Sequence, residues 1–110
     1  MVEKENIILT KTFNFALVVI EVCRWLQTEK KECVISNQLI NSGTSIGANI
    51  REAQEAESKA DFIHKCSIAN KESRETNYWI DLLVASKLLD GFNKTETLVS
   101  ESLEIKMILT

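Results

Sequence analysis

Between Glu32 and Arg51 the chain carries no charged residue, although Asp, Glu, Lys and Arg make up 26% of its 110 residues. Within this gap Ile35, Leu39, Ile46 and Ile50 recur at helical spacing, while the other faces carry Asn, Gln, Ser, Thr, Gly and Ala. A helix that covers one side of an isolated bundle turns Lys and Glu to the water. This segment is therefore expected to meet protein on its back too, from a neighbouring helix or from another subunit.

The gap is not a membrane span, because Asn37, Gln38, Asn41 and Asn49 interrupt it. The opening MVEKEN is too acidic for a secretory signal, and the expected location is cytoplasmic. The length fits a single domain over residues 1–110. The absence of proline and the presence of only three glycines argue for helices and against a β-sandwich or barrel. Cys23, Cys33 and Cys66 form no CxxC and read as free thiols of a reducing compartment. His64 stands two residues from Cys66, so on a helix the two point to different faces and share no metal site.

Four helices account for the pattern. The first is expected from about Glu5 to Thr28, with Leu9, Phe13, Ala16, Ile20 and Cys23 on one face and Phe15, Val18, Val22 and Trp25 on others. The second, from about Val34 to Glu57, buries Ile35, Leu39, Gly43, Ile46, Ile50 and Ala53, with Asn37, Asn41, Thr44 and Ala48 opposite. Gly43 and Gly47 each cost about 1 kcal/mol relative to Ala inside a helix, which points to close approach of another backbone. A kink at this point is the alternative.

Ser58-Lys-Ala-Asp61 is a capping-box-like start for the third helix, expected to run to about Leu89. One face holds Phe62, Cys66, Ala69, Ser73, Thr76, Ile80, Leu83 and Val84; a second stripe holds Ile68, Trp79, Leu82 and Leu89. Asp61 with Lys65, and Lys71 with Glu75, are favourable i,i+4 pairs. Gly91 suits a left-handed stop, and Asn93-Lys-Thr-Glu96 reads as the next capping box. The last helix carries Leu98, Val99, Ser102, Ile105 and Leu109. Short connections make these helices an antiparallel up-and-down four-helix bundle, an all-α fold.

Catalytic chemistry finds little to work with. Glu52 with Glu55, and Glu72 with Glu75, are spaced i,i+3, but no ExxH accompanies them as in di-iron bundles. Gly43-x-x-x-Gly47 lacks the Lys-Ser/Thr of a phosphate loop. No enzyme, cofactor or metal is expected. Nucleic-acid contact has Arg51, Lys59, Lys65, Lys71 and Arg74 as candidates, with Tyr78 and Trp79 nearby for stacking. The net charge of −3 gives that reading no support, and acidic residues interrupt the run. Gly43, Thr44, Gly47, Ala48 and Trp79 are the candidates for close helix or subunit packing.

The stretch from Gln38 to Asp90 resembles the four-helix-bundle proteins encoded by intervening sequences of bacterial 23S ribosomal RNA genes. The resemblance rests on Gln38-Leu39, on Gly43, Ser45, Ile46, Asn49, Ile50 and Glu52, on Ser58-Lys59 with Asp61-Phe62, and on Glu75 and Leu82-Leu83. It implies a small cytoplasmic bundle without established enzymatic activity. A related branch, the accessory protein of diversity-generating retroelements, is a pentameric barrel that binds a reverse transcriptase and nucleic acid through a basic surface. By that analogy the expected partner is the chain itself, as a ring-like homo-oligomer with a pentamer foremost and no membrane contact. The nucleic-acid role transfers poorly, since this chain is net acidic.

Overall fold

The structure, a computed structural model, describes the backbone of residues 2–110 and side chains from Ile7 onward. It contains α1 (Val2–Glu29), α2 (Val34–Ala53), α3 (Lys59–Ala85) and α4 (Thr95–Leu109). The helix pairs in contact are α1–α2, α2–α3, α3–α4 and α4–α1, the square of an antiparallel up-and-down bundle. At 1.5 Å per residue α1 spans about 42 Å, and it sets the 44 Å long axis of the molecule. Among the described residues no helix is long and apolar enough to cross a membrane.

The main core joins Phe15, Val19, Val22, Cys23 and Leu26 of α1 to Leu39 and Ile46 of α2, Ile80 and Leu83 of α3, and Leu98 and Ile105 of α4. This corrects the expected inner face of α1. Phe13 is 52% exposed and Leu9 and Ile20 are half-buried, whereas Ile8, Thr12, Phe15, Val19, Val22 and Leu26 point inward. The inner stripe was masked by Thr12, which sits in the core because its hydroxyl donates to the Ile8 carbonyl at 2.8 Å. On α3 the face holds at Ala69, Ser73, Thr76, Ile80 and Leu83, but Val84 is exposed and Phe62 and Cys66 are half-buried.

The two glycines of α2 lie in an unbroken helix against α1. A Cβ at Gly43 would stand 2.9 Å from both methyls of Val19, and one at Gly47 would stand 3.2 Å from Thr12 Oγ1. Close approach of α1 is thus the gain that offsets their low helix propensity.

Helix ends follow local chemistry with three departures. The Ser58 hydroxyl accepts from the Asp61 amide at 3.1 Å, as its motif predicts. The α2 start is capped by Glu32, whose carboxylate accepts from the amides of Val34 (3.1 Å), Ile35 (3.0 Å) and Ser36 (2.9 Å). At its other end α2 stops at Ala53 rather than Glu57, as Gln54, Glu55 and Ala56 tighten into i,i+3 turns. Helix α3 ends at Ala85 rather than near Leu89. Lys87 takes φ 66° while the amides of Lys87 and Leu88 bond the Val84 and Leu83 carbonyls, a Schellman stop. Gly91 is left-handed at φ 98° but serves a later turn of the same connection. That connection dips inward, with Leu89 and Phe92 buried and Phe92 packed on Trp25 at a ring separation of 5.3 Å. The expected Asn93 box does not form; Lys94 precedes α4 without a side-chain cap.

Candidate interaction surface

On a helix, side chains three and four residues apart share a face. The residues of α1 that lie beside its inner stripe, Leu9, Phe13, Ala16, Leu17 and Ile20, therefore form a second apolar stripe. Phe13 and Leu17 are each 52% exposed. Next to them α2 presents Thr44, Gly47 and Ala48. The Thr44 hydroxyl donates to the Ile40 carbonyl at 2.6 Å, which satisfies its polar group within the helix. Gly47, without a side chain, leaves a depression, and Ala48 adds only a methyl. Leu9, Thr12, Phe13 and Ala16 of α1 with Thr44, Gly47 and Ala48 of α2 line a mainly apolar groove of about 360 Å³, to which Arg51 and Glu52 add the charged part of the lining. The Arg51 guanidinium lies 5.8 Å from the Phe13 ring centre, within cation–π range.

The residues expected to pack thus fall into three places. Gly43 is buried under Val19 within the bundle. Thr44, Gly47 and Ala48 line the outer groove. Trp79 is half-buried against the main core and meets Tyr78 edge-on at 5.2 Å. Leu17 and Ile7 belong to the exposed apolar set without having been singled out from the sequence; Phe13-x-x-x-Leu17 is the spacing that signals Leu17.

The five basic candidates are dispersed. Lys65 donates to Glu52 Oε1 at 2.8 Å, and this hydrogen bond and charge hold its pKa above the usual lysine value. Neither i,i+4 pair expected on α3 forms a direct ion pair; Lys65 crosses to α2 instead. Arg51 faces the α1–α2 groove and Lys59 opens α3. Lys71 and Arg74 are exposed on α3, with Tyr78 exposed four residues beyond Arg74. Between them Glu72 is half-buried, and desolvation followed by the charge of Glu75 raises its carboxyl above the usual range against the opposing pull of Lys71.

All three cysteines are free. Burial, and then the charge of Glu32, pushes the Cys23 thiol up to about 12, and burial raises that of Cys66. Among the described residues no three His, Cys, Asp or Glu side chains gather in a way that would hold a metal ion.

These features define a small up-and-down four-helix bundle whose α1–α2 flank is apolar and nearly free of charge. The sequence pattern of the 23S rRNA-intervening sequence protein family matches residues 4–110, and the chain belongs to that family. It is similar to the crystal structure of a protein of unknown function from the S23 ribosomal protein family of Bacteroides thetaiotaomicron. The two share 43% sequence identity over 96% of this chain and 94% of that one, with a TM-score of 0.89. No match is found among the curated proteins.

Proposed function

We propose that this chain is a non-catalytic scaffold or accessory protein that associates with copies of itself through the outer face of α1 and α2. One observation carries the reading: the groove of about 360 Å³ between Phe13 and Ala48, flanked by the exposed Leu17. Contiguous apolar surface rimmed by polar residues marks an interaction site. The uncharged back of α2 supports it, since a partner covering that face would bury no unpaired charge. A ring is the expected assembly, five copies being the number implied by the resemblance to the retroelement accessory proteins. The free thiols fit a cytoplasmic setting.

Light scattering of the full chain at micromolar concentration tests the association. The expected mass is a multiple of the 12.5 kDa chain, and a clean monomer would overturn it. Ala48→Arg and Thr44→Arg should lower the mass while leaving helicity unchanged.

A second reading, contact with RNA or DNA, has Lys71, Arg74 and Tyr78 in its favour, all exposed on α3 at i, i+3 and i+7. Assembly would then have to join them with Lys59, Lys65 and Arg51 of neighbouring copies. A gel shift at low salt tests it, because phosphate contacts are strongest there. No shift would remove this reading and leave the scaffold in place.

A further inference from the structure

The four seams of the bundle are not equally well made. Helix α2 fully buries Ser36, Leu39, Ser42, Gly43, Ile46, Ile50 and Ala53, whereas α4 fully buries only Leu98, Ser102 and Ile105, and one of these is a serine. Between α2 and α3 the buried polar groups find partners: the Thr76 and Ser42 hydroxyls are hydrogen-bonded at 2.9 Å.

Around α4 not all of them do. Among the described residues the side-chain atoms shut off from solvent without a hydrogen-bond partner are Asn70 Oδ1, Ser73 Oγ and Glu101 Oε1. Asn77 Oδ1 accepts from the Ser102 hydroxyl of α4 at 3.3 Å, which fixes the face of α3 that meets α4. Ser73 and Asn70 precede Asn77 by four and seven residues and share that face. Glu101 belongs to α4 itself and borders a cavity of about 120 Å³ on the α1 side, lined also by Lys11, Asn14 and Glu104. Closing α4 onto the bundle therefore strands Asn70 and Ser73 on its α3 seam, and releasing it returns them to water.

The ends of α4 point the same way. Ser58 caps α3 and Glu32 caps α2, but the first turn of α4 has no side-chain cap. Just before it, Phe92 is held in the core by Trp25. Asn93 and Lys94 thus join a firmly seated anchor to a loosely seated helix. Two ion pairs tie α4 and its N-cap residue Lys94 to α1 among the described residues, Lys11 with Glu104 and Lys94 with Glu21, both at 2.9 Å, and both are open to solvent and screened by salt.

We infer that α4 undocks as a unit while α1, α2 and α3 stay folded, pivoting at Asn93–Lys94 and baring the part of the core that Leu98 and Ile105 cover. The device is a detachable fourth helix, and it does not depend on how copies of the chain associate.

Native-state amide exchange of the full chain, read by mass spectrometry over a range of low denaturant concentrations, tests this. Peptides from α4 should exchange at least ~100-fold faster than those from the middle of α2 and α3, with a weaker dependence on denaturant, as expected of a sub-global opening. Ile46→Val, placed in α2 away from α4, should speed exchange of the α2 and α3 peptides while leaving α4 unchanged. Ser73→Ala, which removes one stranded hydroxyl, should slow α4 exchange by about tenfold. Protection of α4 within ~10-fold of α2, or an α4 rate that follows Ile46→Val, would show a single global opening and overturn the inference.

Discussion

Replacing Gly43 by alanine sets two opposing effects against each other, and the structure decides between them. In a helix interior the change gains about 1 kcal/mol from backbone entropy. Against it stands Val19, whose two methyls would both lie 2.9 Å from the new Cβ, with Val19 Cβ at 3.4 Å. Apolar carbons settle about 3.5–4.0 Å apart, so both contacts are too close at once. Val19 cannot swing aside cheaply, because a β-branched side chain within a helix has one strongly preferred rotamer, and this one is fully buried. Overpacking of this kind costs about 1–3 kcal/mol. The net expectation is a destabilisation of about 1 kcal/mol, equivalent to a fall in Tm of about 4 °C for a chain of this size. Urea unfolding followed by far-UV circular dichroism measures it. The cause is isolated by a cycle with Val19→Ala, which removes the obstructing methyls at its own cavity cost. In that background Gly43→Ala should become neutral or stabilising, a coupling of at least about 1 kcal/mol. A stabilisation of about 1 kcal/mol from Gly43→Ala alone, or the absence of coupling, would refute the argument.

Lys87 holds a left-handed φ of 66° at the α3 stop, so Lys87→Gly should raise stability by about 1 kcal/mol in the same urea assay; a loss would mean its side chain matters more than its backbone. Glu32→Ala strips three amides of α2 of their acceptor and should cost about 1–2 kcal/mol, whereas an exposed control, Glu29→Ala, should change little. The Cys23 thiol, raised to about 12 by burial, gives a pH dependence of definite sign. The unfolded thiol loses its proton near pH 9 or just below, while the folded one keeps it, so the contribution is complete below that pH and is lost as pH rises towards about 12. The loss approaches about 1.4 kcal/mol per pH unit in that window. Urea titrations of the native chain and Cys23→Ala should therefore converge in slope below pH ~8.5 and diverge above it; parallel curves throughout would exclude a buried thiol.

What could be read from the residues depended on how local the deciding physics was. The Ser58 cap is settled within four residues, and it forms as its motif predicts. Glu32 is no farther from the amides it caps, but it is not among the short side chains that usually take that position, and nothing in the pattern marks it. Helix α3 ends at Ala85, short of the expected Leu89, because the glycine that suits a stop lies too late in the chain. Leu89 and Phe92 are drawn into the core, and that pull requires the chain to turn already at Lys87, an unfavourable residue for the conformation. The Asn93 box fails for a related reason, since it lies directly after the Phe92 anchor. No periodicity argument sees such a demand, because it arises from tertiary packing.

The first helix shows the same limit in another form. Its apolar residues nearly encircle it, so a 3.6-residue period fits more than one face, and the run Leu9, Phe13, Ala16, Ile20 looks purer than the true inner stripe with Thr12 in it. The purer stripe is real, but it borders the outer groove. That overlap also divides the charge gap of α2 into two parts. Ser42 and Gly43 are uncharged because α3 and α1 press on them within one chain. Thr44 and Ala48 meet no such constraint inside the bundle, yet they adjoin the exposed Phe13 and Leu17. A neutral, small-residue helix back beside a surplus apolar stripe is what the proposed self-association would need. For this reason Ala48→Arg tests the proposal directly: Ala48 is exposed, so the new charge should leave the bundle folded and be resisted only by association.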